Sequence, residues 1–235
     1  MSLTPVQSAA RVAGVCYVVV IALGVLQAAL VSSRLPAIDD PAIVAAVTAD
    51  ESLRFRLGLV GDVVLYVLVL VLAAALYVVV RDVHRPIALG ALVLRSAEGV
   101  VGLCVTVLGG AVPSFLLSDP ARADPAIALA LLSVRESGLD VILMLVGPGG
   151  GAFCYLLLRS RLVPRGLALW GVLTYLAMAI LGASGIVWPG LPRSITTVLF
   201  AQGAVFEVLF GLWLAVRTVD VSSAPSDAYA TRIAP

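Results

Sequence analysis

Arg95, Glu98 and Glu207 each lie deep inside long apolar stretches of the chain. A charged side chain at the centre of a bilayer costs about 2.5 to 3.5 kcal/mol on insertion scales, so residues kept there pair with one another or do chemistry. Arg95 and Glu98 are three positions apart, share a face on a helix, and in low dielectric would neutralise one another. Glu207 is then the surplus acid, with no cation near it in sequence. Desolvation favours the neutral form of such a carboxyl, which makes it a proton donor suited to general-acid work. If Arg95 instead bridges both carboxylates, all three are structural. Glu207, Glu98 and Arg95 are the candidate catalytic residues. Asp62, Asp140 and Gly149 are candidate substrate-binding positions, against which stands the reading that the aspartates cap helix ends. Gln202, Thr106, Thr174, Tyr66 and Tyr175 are available as further polar contacts.

The elements that must position these residues follow from composition. The chain has 235 residues, of which 61% are apolar and only 12% charged, with a mean hydropathy of +1.11, more than a water-facing surface tolerates. Six runs reach the roughly 20 residues that a bilayer core about 30 Å thick requires: Val12 to Val31, Leu57 to Val80, Ile87 to Val112, Leu139 to Leu158, Gly166 to Val187 and Ile195 to Val216. The fold class is therefore an all-α integral membrane protein, a bundle of six transmembrane helices forming a single domain over residues 1–220. At ~1.5 Å per residue Glu98 sits roughly 17 Å in from Ile87 and Glu207 roughly 18 Å in from Ile195, both near the midplane. The first run ends in Ser32-Ser33-Arg34 without a small-x-small cleavage pattern and is expected to be retained.

Arg11, Arg81, Arg85, Arg159, Arg161, Arg165 and Arg217 collect on one side of the membrane against Arg34, Arg54, Arg56, Arg122 and Arg193 on the other, which by the positive-inside rule predicts that both termini are cytoplasmic. On the other side, Asp40 before Pro41 predicts a short helix over Ala42 to Leu53, and Ala126 to Glu136 predicts a helix at the outer interface. Residues 221–235 lack periodicity and read as a disordered cytoplasmic tail.

Several classes fall away. Fifteen Lys and Arg against fourteen Asp and Glu leave a net charge of +1 and no polybasic run, so no nucleic-acid partner is expected. Three isolated Cys and one His, His84, cannot assemble a disulfide framework or a Cys/His metal cluster, and no cofactor or metal is expected. The expected partners are the lipid bilayer, a lipid-like small molecule, and a second copy of the chain in a homo-oligomer.

The chain also aligns with itself at a shift of 78. Asp62 meets Asp140, Tyr77 meets Tyr155, Arg81 meets Arg159 and Pro86 meets Pro164, with Val63, Leu65, Ala74 and Leu89 also matched. Helices two and three then repeat as four and five in a parallel arrangement. Within it Val69 to Ala73 corresponds to Gly147-Pro148-Gly149-Gly150-Gly151, where proline and glycine predict a kink or an unwound segment. Such a segment either lines a pocket or forms a tight helix crossing.

The stretches Arg56-Leu-Gly-Leu-Val-Gly-Asp62 and Arg81-Asp-Val-His-Arg-Pro86, Arg95 with Glu98, Leu158-Arg-Ser160, Pro164-Arg-Gly166, and Glu207 ahead of Leu212-Trp-Leu214 resemble the bacterial integral membrane proteins grouped as DUF4386, over about Arg11 to Val219. The resemblance implies a helical membrane protein and carries no activity or catalytic residues with it. The first functional reading is an intramembrane enzyme acting on an isoprenoid or lipid-like substrate, with Glu207 or Glu98 as general acid. Against it, aromatic residues, which steady carbocations, are only 6% of the chain. The alternatives are a proton-coupled small-molecule transporter with the acids as a relay, and a non-catalytic membrane scaffold or lipid-binding protein locked by the charge cluster.

Overall fold

The fold was read from a computed structural model, which describes residues 4–29, 52–118, 125–188 and 193–216. Six helices follow in order: α1 (Pro5–Gln27), α2 (Ser52–Val80), α3 (Arg85–Ser118), α4 (Pro125–Ser160), α5 (Arg165–Val187) and α6 (Arg193–Val216). Each of these six helices of the described residues contains a stretch long and apolar enough to cross a membrane, and the chain is a multi-pass membrane protein. The expected helix over Ala42 to Leu53 falls almost wholly, and the tail over 221–235 wholly, outside the described residues.

Local sequence explains how the helices begin and end. Thr4 caps α1, accepting from the Gln7 amide at 3.3 Å while the Gln7 side chain accepts from the Thr4 amide, and Pro5 occupies the first turn. Two four-residue loops, 81–84 and 161–164, connect α2 to α3 and α4 to α5 at the same end of the bundle, here the short-loop end. Arg161 follows the last residue of α4 with φ of 57°, the left-handed conformation that commonly ends a helix. The two loops lie eighty positions apart, so the helix breaks run two residues out of step with the side-chain matches at 78.

Two expectations for α4 are corrected. The outer-interface helix over Ala126 to Glu136 is not a separate element but the first turns of α4, a 36-residue helix about 54 Å long. Nor does the helix unwind at Gly147 to Gly151, where the helical assignment is unbroken through Pro148. Packing supplies the physical reason. A Cβ on Gly147 would run into Ala179 of α5, one on Gly149 would come within 3.1 Å of Leu94 Cβ on α3, and one on Gly150 would strike the Tyr175 ring. The glycines let two neighbours approach α4 closely, and that contact offsets their low helix propensity.

Each helix packs on the next, and α6 packs back on α1, so the six close a ring, with α2 also touching α4 across it. Tyr17, Leu72, Leu76, Phe153, Leu156, Leu157, Tyr175, Phe206, Phe210 and Leu214 fill its centre. Val60, Val93, Val107, Leu173, Ile180 and Val198 point outward, an apolar exterior that suits lipid. The seam between α1 and α6 depends on Gly14 and Gly211: a Cβ on Gly14 would sit 2.5 Å from both the Gly211 carbonyl oxygen and the Ala215 amide nitrogen. Because those are backbone atoms they cannot swing aside. Gly14→Ala is expected to lower stability by about 1–3 kcal/mol through overpacking. Gly61→Ala, whose added methyl meets nothing within 4 Å, should leave it unchanged or slightly raised. Unfolding of the two variants in detergent micelles checks the contrast.

Candidate interior acid site

Arg95 and Glu98 project from α3 into the ring, only 2% and 5% exposed. Their closest atoms, Arg95 Nη1 and Glu98 Oε2, are 2.6 Å apart. The approach is close but poorly angled, and Nη1, Nε and Oε2 make no hydrogen bond within the protein. The pair therefore cancels charge while the guanidinium keeps donors uncommitted. Gly149 of α4 makes room for it, since a Cβ there would come within 3.0 Å of Arg95 Cγ.

Glu207 enters from α6. Its Oε1 accepts a hydrogen bond from Tyr175 Oη of α5 at 2.7 Å, and Tyr175 Oη lies 3.0 Å from Tyr17 Oη of α1. Tyr175 rests on the glycine run, where a Cβ on Gly150 would lie 2.6 Å from its Cε1. A hydrogen-bonded chain thus joins α1, α5 and α6 through the middle of the bundle. Arg95 acts electrostatically on Glu98, Tyr175, Tyr17 and Glu207. Glu98 and Glu207 also act on each other. Arg95, Glu98 and Glu207 are thus all carried on helices of the ring, the first two paired on α3 and the third bonded to the buried Tyr175.

Aromatic rings surround it. Phe206 stacks on Phe210 at 5.3 Å, Tyr17 meets Phe210 edge-on at 5.4 Å, and Tyr175 and Trp170 both meet Phe206 edge-on. Gln202, one turn from Phe206, accepts from Trp170 Nε1 at 3.1 Å and from Thr174 Oγ1 at 3.2 Å. Trp170 packs against this core. Thr106 donates to the Gly102 carbonyl of its own helix at 2.9 Å.

The other candidates lie elsewhere. Asp62 is buried in α2, and Asp140 lines a recess among α4, α5 and α6 at the end opposite the short loops. Tyr17 is the member that sequence reasoning passed over. Its signal is depth: twelve residues beyond Pro5 it lies about 18 Å along α1, too deep for an interfacial anchor. Among the described residues no group of three or more His, Cys, Asp or Glu is placed to hold a metal ion.

A family model described as a domain of unknown function, DUF4386, matches residues 12–218. No curated protein and no solved structure matches the chain.

The ion pair generates its own expectation. Arg95→Met leaves Glu98 without its counter-ion and should destabilise the bundle by about 3–5 kcal/mol, as should Glu98→Gln for Arg95. The double variant should recover most of that loss, because it removes both charges together. Denaturation of the single and double variants in micelles reads the difference.

Proposed function

The chain belongs to the DUF4386 family, and from its interior geometry we propose that it is an intramembrane enzyme whose Glu207 serves as general acid towards an isoprenoid or similarly apolar, lipid-like substrate. One observation carries the reading: Tyr17 Oη, Tyr175 Oη and Glu207 Oε1 form a hydrogen-bonded series, at 3.0 and 2.7 Å, inside an aromatic core. Arg95 and Glu98 are covered, whereas Glu207 keeps part of its surface accessible, so of the three it is the acid that a substrate reaches.

The chemistry balances without a co-reactant. Glu207 gives its proton to one carbon of an alkene, a C–H bond forms, and the neighbouring carbon becomes a cation. Tyr175 steadies the new carboxylate by donating to Oε1, and the Arg95 charge acts on it from α3. Loss of a proton from the cation back to Glu207 completes an isomerisation or cyclisation. Aromatic residues are sparse in the chain as a whole, but Tyr17, Trp170, Tyr175, Phe206 and Phe210 gather around this carboxyl, which supports the assignment. Under the same reading Asp62, Asp140 and Gly149 contribute to substrate binding, Gly149 by seating Arg95. The arginines at 81, 85, 159, 161 and 165, all in or beside the two short loops, support a cytoplasmic placement of that end of the bundle and so of both termini.

The same hydrogen-bonded series favours a second reading, proton-coupled transport, because it links three helices that surround the bundle's centre. The two separate experimentally. In proteoliposomes supplied with prenyl alkenes and epoxides, the wild type is expected to form product, and Glu207→Gln to slow turnover by about 10²-fold or more. No product from the wild type, or unchanged turnover by Glu207→Gln, contradicts the enzyme. Proton-driven solute uptake that Glu207→Gln abolishes would establish the transporter in its place.

A further inference from the structure

Between α4, α5 and α6, at the end of the bundle away from the short loops, lies a recess of about 110 Å³. Asp140 and Thr196 supply its polar wall, Leu143, Leu181 and Phe200 its apolar wall, and Trp188 stands at the rim. The recess is built by close backbone approach. A Cβ on Gly182 would lie 2.5 Å from the Asp140 carbonyl oxygen, and one on Gly185 would collide with the Asp140 carboxylate, 2.6 Å from Oδ2. The carboxylate is thus laid against the α5 backbone, with its direction fixed. Yet it makes no ion pair or hydrogen bond with another described residue. A half-covered carboxylate at the edge of a membrane span, with no partner among the described side chains, is a site for a cation.

We infer that this recess binds a small primary ammonium group carried on a short carbon chain, as in ethanolamine. Three arguments fix the class. The first is size: cavities of about 150 Å³ accept a benzene ring, so this slightly smaller recess takes a group of about four or five heavy atoms. The second is donor number. An ammonium has three N–H donors, which the Asp140 carboxylate and the Thr196 hydroxyl can accept, whereas a trimethylammonium has none and is larger. The third is polarity: Leu143, Leu181 and Phe200 provide apolar wall for the methylenes beside the Asp140 carboxylate. Depth adds the source. Asp140 is within the first turn of the span Ser137–Ser160 and Trp188 follows the last residue of the span Arg165–Val187, level with lipid headgroups. The ammonium is therefore that of a phosphatidylethanolamine headgroup or of a free small amine.

The full chain in nanodiscs distinguishes these. Native mass spectrometry of the wild type released from discs containing phosphatidylethanolamine, phosphatidylglycerol and phosphatidylcholine in equal amounts should show phosphatidylethanolamine retained about tenfold over the other two, a difference of about 1.4 kcal/mol. Asp140→Asn should bring retention to parity. In discs of phosphatidylglycerol alone, a rise in melting temperature on adding free ethanolamine, lost in Asp140→Asn, identifies a free amine as the ligand instead. Equal retention of the three lipids together with no response to ethanolamine overturns the site on the wild type alone, so the test survives if the variant fails to fold. Unaltered selectivity in a folded Asp140→Asn overturns it too. Asp140 also counts among the substrate-binding positions proposed above, but these readouts are lipid retention and melting temperature and involve no turnover, so their failure leaves the acid chemistry of Glu207 standing.

Discussion

An arginine in the middle of an apolar bundle must be neutralised before the helices around it can close, and here Glu98, one turn along the same helix, does this at 2.6 Å. Local pairing has a consequence for everything else. Because α3 carries its own counter-ion, no other helix has to supply one. Glu207 of α6 is released to bond with Tyr175, and Tyr175 in turn with Tyr17. Two polar systems then share one interior: a charge-balanced pair on α3, and a neutral-partnered carboxyl reached through two phenols. Whether the Arg95 charge couples them into a single core is what the cycle below measures.

Glycine determines how tightly that core is held. Gly149 and Gly150 turn α4 into a smooth surface on which the Arg95 stem and the Tyr175 ring lie, and Gly14 with Gly211 brings Tyr17 up against α6. In lipid, where burying apolar surface between helices gains little, such close approach supplies the packing and hydrogen bonding that hold a bundle together. The same device recurs at the opposite end, where Gly182 and Gly185 press Asp140 onto α5. Small residues thus decide where polar groups can be set into an otherwise oily structure.

Much of this was readable in the chain. Span positions followed from apolar length, and the Arg95–Glu98 pairing followed from a three-residue spacing that any helix converts into contact. Depth alone suggested that Glu98 and Glu207 could lie level. What sequence did not disclose was rotation. Which way Tyr175 faces, and that it would reach Glu207, depends on how α5 and α6 are turned, which one apolar face after another leaves undetermined. Tyr17 carries no charge, so a search for ionisable groups deep in apolar runs does not single it out. For the Gly147 to Gly151 run, local propensity pointed to a kink or unwound segment, and of the two roles open to it the tight helix crossing is the one that Ala179, Leu94 and Tyr175 realise.

The account stands on α3 and α6 sharing one polar core. A double-mutant cycle between Arg95→Met and Glu207→Gln, read by unfolding in micelles, tests that most directly. Coupled side chains should give an interaction energy of about 0.5–3 kcal/mol. Strictly additive losses would mean that the two helices hold their ionisable groups apart, and the interior site described here would not exist.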